Sequence, residues 1–209
     1  GVVHVVVPEH PRSACEMEVV ILSERLSGSL QMLGVALVVD RIALGGSDHQ
    51  DIMQLAQNII EKAQQKTIII ALAESCTGGM VATALTDISG SSAVLDRGFV
   101  TYSNQAKIDI LGVSNATLTQ YGAVSEQTAR AMVEGTLNAA PTADLALSVT
   151  GIAGPGGGGP DKPVGLVHFA CQHRDSLQTH AKHFFSGDRN MVRQQAVHTA
   201  LIMIGDALA

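Results

Sequence analysis

Three short stretches concentrate the polar groups that hydrolytic chemistry uses: "ESCTGG" at 74–79, "TYSNQAK" at 101–107 and "SVTGIAGPGG" at 148–157. Ser75 stands where an apolar run gives way, through Gly78 and Gly79, to a helical pattern. The first N–H groups of a helix have no intrahelical partner, and the helix dipole adds partial positive charge there. A turn of this kind binds an anion or stabilises an oxyanion, and a serine at the strand end faces it. The arrangement resembles a strand–turn–helix elbow, without the flanking glycines of G-x-S-x-G. A serine needs a base. No histidine lies in the three stretches, but Lys107 follows Tyr102. Desolvation disfavours an ammonium, so a lysine in a dry pocket can take a proton from a serine or tyrosine hydroxyl. That makes a Ser–Tyr–Lys constellation. Its plainer rival reads Ser75 as a cap, Tyr102 as a half-buried packing residue and Lys107 as a solvated helix position; spacing alone favours the rival.

The elements that must position these groups are legible from Asp51 onward. Ile52, Leu55, Ala56, Ile59, Ile60 and Ala63 keep helical spacing behind Asp51 as N-cap. "TIIIALA" is continuously apolar, as a strand buried on both faces must be. Val81, Ala82 and Leu85 restart a helix, "VLDRGFVTYS" reads as a second strand, and "NQAKIDILG" as a helix capped by Asn104 and stopped by Gly112. Ser125 caps another helix with Glu126 in its first turn and a stripe from Ala129 to Ala140. "ADLALSVT" is a further buried strand, and the Gly/Pro-rich "GIAGPGGGGPDKP" stops it. "VGLVHFACQ" and "LQTHAKHFF" form an antiparallel hairpin, and a last helix starts near Asp188. Strands alternating with helices, then a hairpin, predict an α/β fold: a mixed central sheet flanked by helices on both faces. Ligands in such sheets bind beyond the carboxyl ends of the strands, where the three polar stretches fall.

Residues 1–50 carry no motif. "VVHVVVP" and "LGVALVVDRIAL" read as strands or, for the first, as a leader. The expected organisation is an N-terminal appendage of unknown role at 1–50 and a functional domain at 51–209. The chain has 209 residues, 46% hydrophobic and 15% charged, enough to build a sizeable core. A net charge of −6 argues against broad nucleic-acid or anionic-membrane binding. No apolar run approaches the ~20 residues of a spanning helix. Cys15, Cys76 and Cys171 form no CxxC pair, which suits a reducing cytoplasm. Few charges beside apolar helix faces predict a homo-oligomer.

Five segments in order, "ALAESCTGG", "GFVTYSNQAK.DILGV", "YGAVSEQTARAM", "SVTGIAGPGGG..DKPVGLV" and "FFSGDRNMVRQQAV", resemble the C-terminal domain of the competence/damage-inducible CinA proteins. That domain also occurs alone as nicotinamide-nucleotide amidase, and the resemblance runs from about Asp51 to Ala209. It implies a compact α/β domain that hydrolyses nicotinamide mononucleotide to nicotinate mononucleotide and ammonia, with no metal and no cofactor. The family's serine, tyrosine and lysine fall on Ser75, Tyr102 and Lys107. Its substrate-site threonine and Gly-rich loop fall on Thr150, Gly151, Gly154 and Pro155, and its late arginine on Arg189. The chemistry then assigns the oxyanion to the N–H groups of Cys76, Thr77, Gly78 and Gly79, and the 5′-phosphate to Arg189 with Arg193. Glu74 orients the site or binds the ribose, or else pairs with a nearby Arg or Lys. Residues 1–50 match neither the short leader of standalone members nor the large N-terminal domain of fused ones.

Rival readings have their own signals. Short-chain dehydrogenases use Ser, Tyr and Lys, but their Tyr and Lys stand at i and i+4, whereas Tyr102 and Lys107 are five apart and the glycine loop comes late. Cys76 at a helix N-terminus could be a nucleophile; the competing reading is a small buried hydrophobe. His168, His173, His180 and His183 lie on adjacent predicted strands, and their alternation reads as the solvent face of a hairpin rather than a metal site. A non-catalytic domain that binds pyridine nucleotides or a protein partner would keep a pocket without convergence of Ser75, Tyr102 and Lys107.

Overall fold

The computed structural model describes residues 49–209. The strand readings at 2–8 and 33–44, and the appendage itself, lie outside the described residues. Helix α1 (His49–Lys66) leads into β1 (Ile70–Glu74), and a tight turn leads into α2 (Met80–Thr86). Strand β2 (Leu95–Val100) follows, then α3 (Asn104–Leu111), α4 (Asn115–Tyr121) and α5 (Glu126–Ala139). Strand β3 (Leu145–Gly151), the hairpin β4 (Leu166–His173) and β5 (Thr179–Phe184), and α6 (Arg189–Ala207) complete the order. The sheet runs β2-β1-β3-β4-β5. Its first three strands are parallel, and β4 and β5 are antiparallel to their neighbours. The mixed sheet and the hairpin are as the alternation of patterns predicts.

Helices cover both faces. Every residue of β1 is buried, in keeping with its uninterrupted apolar run. The period of two divides it: Ala71 and Ala73 face α5 together with Ala146 and Ala170, while Ile70, Leu72 and Glu74 point the other way. Alanines on the α5 side bring that helix close to the sheet, and Ser148 Oγ donates to the Ala129 carbonyl at 2.7 Å across the gap. The opposite side is covered by α6, with α1 packed on it and α2 alongside. Helix α3 packs on α5 at Gly135, where any Cβ would lie 1.9 Å from the Leu111 carbonyl oxygen. A side chain at 135 would push α3 off the core, and Lys107 with it.

Three local readings need correction. The N-cap of α3 is Ser103, whose Oγ accepts from Ala106 N–H at 3.0 Å, and not Asn104. Helix α1 already includes His49, so Asp51 sits in its first turn, where an acidic group meets the dipole. Helix α4 was not expected: it buries one apolar side chain, Leu118, so its sequence has no stripe to read. Among the described residues no helix is long and apolar enough to cross a membrane.

Candidate active site

The parallel register sets the site. Glu74 pairs with Val100 on one side and Val149 on the other, so β1, β2 and β3 end at one level. The turns that follow deliver Ser75, Thr101–Tyr102 and Thr150–Gly154 to that edge, and α3 brings Lys107 back beneath it. A cavity of about 240 Å³ opens there, lined by Ser75, Cys76, Tyr102, Lys107, Thr150, Gly151, Gly154 and Arg189 among others. Those eight were candidates on sequence grounds.

The central contact is between Ser75 and Lys107. Lys107 Nζ donates to Ser75 Oγ at 3.0 Å and to the Thr101 carbonyl at 2.7 Å. Its side chain is 1% exposed, so the solvated helix position is ruled out. Burial pulls its pKa down to about 8, opposed by the nearby Cys76 thiol. Near neutral pH an appreciable fraction is therefore an amine with a lone pair. Cys76 behaves oppositely: burial pushes its thiol up to about 12, so it supplies no thiolate nucleophile. Its side chain is a small buried group beside the turn.

Tyr102 lines the cavity at 60% exposure, and its hydroxyl accepts from Arg189 Nη2 at 3.0 Å. No hydrogen bond joins it to Ser75 or Lys107. Arg189 Nη1 donates to the Gly154 carbonyl at 2.9 Å, which braces the arginine against the glycine loop. Thr150 Oγ1 is buried and donates to the Ala123 carbonyl at 2.7 Å, tying β3 to the segment that enters α5.

Glu74, Gly78, Gly79, Thr77 and Arg193 do not line the cavity. Glu74 is 1% exposed and pairs with no arginine or lysine among the described residues. Its carboxylate accepts from Gly79 N–H at 2.9 Å, Val81 N–H at 3.1 Å and Ala82 N–H at 2.9 Å, capping α2 from the preceding strand. Gly78 N–H donates to the Ser75 carbonyl at 3.1 Å. Of the four expected oxyanion donors, Gly78 and Gly79 are thus engaged elsewhere; of the two that remain, Cys76 lines the cavity and Thr77 does not. Gly78 at φ 61° and Gly79 at φ 96° take left-handed conformations that a side chain would strain, which is why the turn carries a glycine pair. Arg193 donates to the Cys76 and Thr77 carbonyls, not towards the cavity.

Two features of the site escaped sequence reasoning. Thr101 acts through its backbone carbonyl, which no side-chain pattern announces. Ala123 and Val124 form an apolar wall just before the Ser125 cap; an apolar pair there reads equally well as packing. The histidines also differ from expectation. His168 is 7% exposed, not on a solvent face, because β5 and α5 cover β4. Its Nδ1 lies 3.0 Å from His180 Nε2, and His180 Nδ1 lies 3.6 Å from the Glu126 carboxylate.

The family model of the CinA C-terminal domain matches residues 52–208. The chain belongs to that family. A relative from Enterobacter agglomerans, named nicotinamide-nucleotide amidohydrolase PncC, is 60% identical over 127 residues, 61% of this chain and 77% of its own length. A protein of the same name from Escherichia coli (strain K12) is 48% identical over 151 residues, 72% of this chain and 91% of its own. The crystal structure of competence/damage inducible protein CihA from Agrobacterium tumefaciens superposes with a TM-score of 0.72 at 51% identity, covering 76% of this chain and 95% of that one.

Proposed function

We propose that this protein is an amidohydrolase that converts nicotinamide mononucleotide to nicotinate mononucleotide and ammonia, with Ser75 as nucleophile and Lys107 as its base. One observation carries the reading: a buried lysine with a depressed pKa stands 3.0 Å from a serine hydroxyl at the floor of a cavity. A non-catalytic binding pocket has no use for that contact. Two relatives bear the name nicotinamide-nucleotide amidohydrolase, which supports the choice of substrate.

The neutral Lys107 amine accepts the Ser75 hydroxyl proton as Oγ bonds to the carboxamide carbon. The carbonyl π electrons move to oxygen, and the Cys76 and Thr77 N–H groups receive the oxyanion. Collapse breaks the C–N bond, and Lys107 returns the proton to the departing nitrogen, which leaves as ammonia. Water then repeats the sequence on the acyl-serine, with Lys107 as base again, and releases the carboxylate. The substrate's pyridinium withdraws electrons from the carbonyl, and no step calls for a metal. Arg189 offers a guanidinium fork to the phosphate, exchanging the Tyr102 hydroxyl for a phosphate oxygen.

Exposed Val100, Leu177 and Phe184 support a homo-oligomeric assembly, and the unpaired, buried Cys76 and Cys171 suit a reducing compartment. The deciding experiment is ammonia release from nicotinamide mononucleotide by the full chain and by Ser75→Ala. Wild type should turn over and Ser75→Ala should fall by at least ~10³-fold. A wild-type protein without turnover, or an Ser75→Ala variant that keeps it, would sink the proposal.

A further inference from the structure

Arg189 and Arg193 lie one turn apart on α6, yet only Arg189 lines the cavity. Arg193 Nε donates to the Cys76 carbonyl at 3.1 Å and its Nη2 to the Thr77 carbonyl at 2.8 Å. Its guanidinium also lies against Gly78, with Nη2 3.4 Å from where a Cβ would stand. The planar fork holds its donors in fixed relation, so it fixes two successive peptide carbonyls of the turn together.

A trans peptide is planar, and its N–H points opposite to its C=O. Holding the Cys76 carbonyl towards Arg193 therefore turns the Thr77 N–H away from it. The Ser75 carbonyl is held by Gly78 N–H at 3.1 Å, which sets the Cys76 N–H in the same way. Both N–H groups act on the Cys76 thiol, and Cys76 lines the cavity beside Ser75. A cation on a carbonyl oxygen also polarises the peptide and strengthens its N–H as a donor. The turn needs such an anchor, because the two glycines that follow have the most permissive backbone of any residue.

We infer that Arg193 is a positioning residue for the hydrolysis: from outside the cavity its grip on the Cys76 carbonyl aims the Thr77 N–H at the developing oxyanion, and its grip on the Thr77 carbonyl fixes the Gly78 N–H that holds the Ser75 carbonyl and, with it, the Cys76 N–H. The inference rests on the amidohydrolase reading and takes Arg193 away from the phosphate, to which its guanidinium fork had assigned it.

The test compares wild type, Arg193→Met and Arg193→Lys in the full chain. Three readouts are taken: turnover of nicotinamide mononucleotide, turnover of the phosphate-free nicotinamide riboside, and labelling of Ser75 by a fluorophosphonate, whose phosphoryl oxygen needs the same N–H groups. Arg193→Met should lower kcat by roughly 10- to 100-fold with KM within about twofold, below the full loss of an oxyanion donor. The factor should be the same for both substrates, and labelling should slow in parallel. Arg193→Lys should recover part of each, because an ammonium is a point donor without the fork. If Arg193→Met folds poorly, Arg193→Lys carries the same comparison. A rise in KM of tenfold or more with kcat kept, a loss confined to the phosphorylated substrate, or labelling at the wild-type rate overturns the inference. A wild type that labels at Ser75 but releases no ammonia removes the substrate assignment, and labelling of the variants still decides Arg193.

Discussion

Lys107 and His168 are both basic groups taken out of water, at 1% and 7% exposure, and burial lowers both, to about 8 and about 4. Their surroundings separate them. Lys107 reaches a hydroxyl on a cavity floor, at the edge where three parallel strands end. His168 reaches another imidazole, His180, beneath the N-terminus of α5, and neither ring lines the cavity. A perturbed pKa is thus a product of burial in both places and becomes chemistry only where a reactive partner and room for a substrate coincide. The histidine cluster joins a hairpin to a helix. In the proposed reaction the lysine takes a proton from Ser75.

The sharpest way to break this contrast is at Lys107. Lys107→Gln should lower kcat by roughly 100-fold or more, with KM nearly unchanged. In wild type, kcat/KM should rise with pH and level off above about 8, where the amine is neutral. The lysine's pKa is depressed in the folded state, so burying it costs stability at neutral pH, and Lys107→Gln should unfold no more easily than wild type. Near-normal turnover in Lys107→Gln would return the lysine to a structural role and leave Ser75 without its base.

The histidine cluster gives the opposite signature. A neutral His168 in the folded protein takes up a proton on unfolding below about pH 6.5. Stability is therefore lost as pH falls from about 6.5 towards about 4, by up to ~3 kcal/mol. Burial leads that shift, followed by the charges of His180, Lys182 and Lys162, with Glu126 opposing. Urea midpoints at pH 7 and pH 4.5 should separate wild type from His168→Gln, the variant losing less on acidification. Turnover at pH 7 should stay within about threefold. A large loss of turnover with folding intact would join the cluster to the site and dissolve the contrast.

How far the sequence discloses these two regions depends on the kind of signal each carries. Buried strands announce themselves by uninterrupted apolar runs, so β1 and β3 and the edge they form were readable, and with them the neighbourhood of Ser75. The Ser75–Lys107 contact spans 32 positions and depends on the register of β2 on β1 and on the close crossing at Gly135. No local pattern contains that. Periodicity placed Arg189 and Arg193 on one helix but could not tell a cavity-facing guanidinium from one spent on backbone carbonyls. His168 misled for a related reason: alternation marks a half-exposed strand, and here a second layer covers both faces. Backbone groups such as the Thr101 carbonyl have no sequence signature at all.

The smallest expected effect refines the catalytic half of the contrast. Tyr102 is the exposed member of the trio, and its hydroxyl is taken by Arg189 at 3.0 Å, while Ser75 already has Lys107 at the same distance. A proton relay would need the phenol inserted between two groups that touch directly. Tyr102→Phe removes the hydroxyl and keeps the ring as a wall. Losing an exposed hydrogen bond to a charged partner changes little, and kcat should fall by less than about threefold. KM should change only slightly, since Arg189 loses one acceptor and becomes freer for phosphate. Tyr102→Ala removes the wall as well and should raise KM more than it lowers kcat, as uniform binding is lost. A fall of ~100-fold in kcat for Tyr102→Phe would mean that the bound state rotates the phenol onto Ser75 or Lys107, making the tyrosine a second proton carrier. The two variants read together separate a wall from a relay, because only a relay is sensitive to the single oxygen.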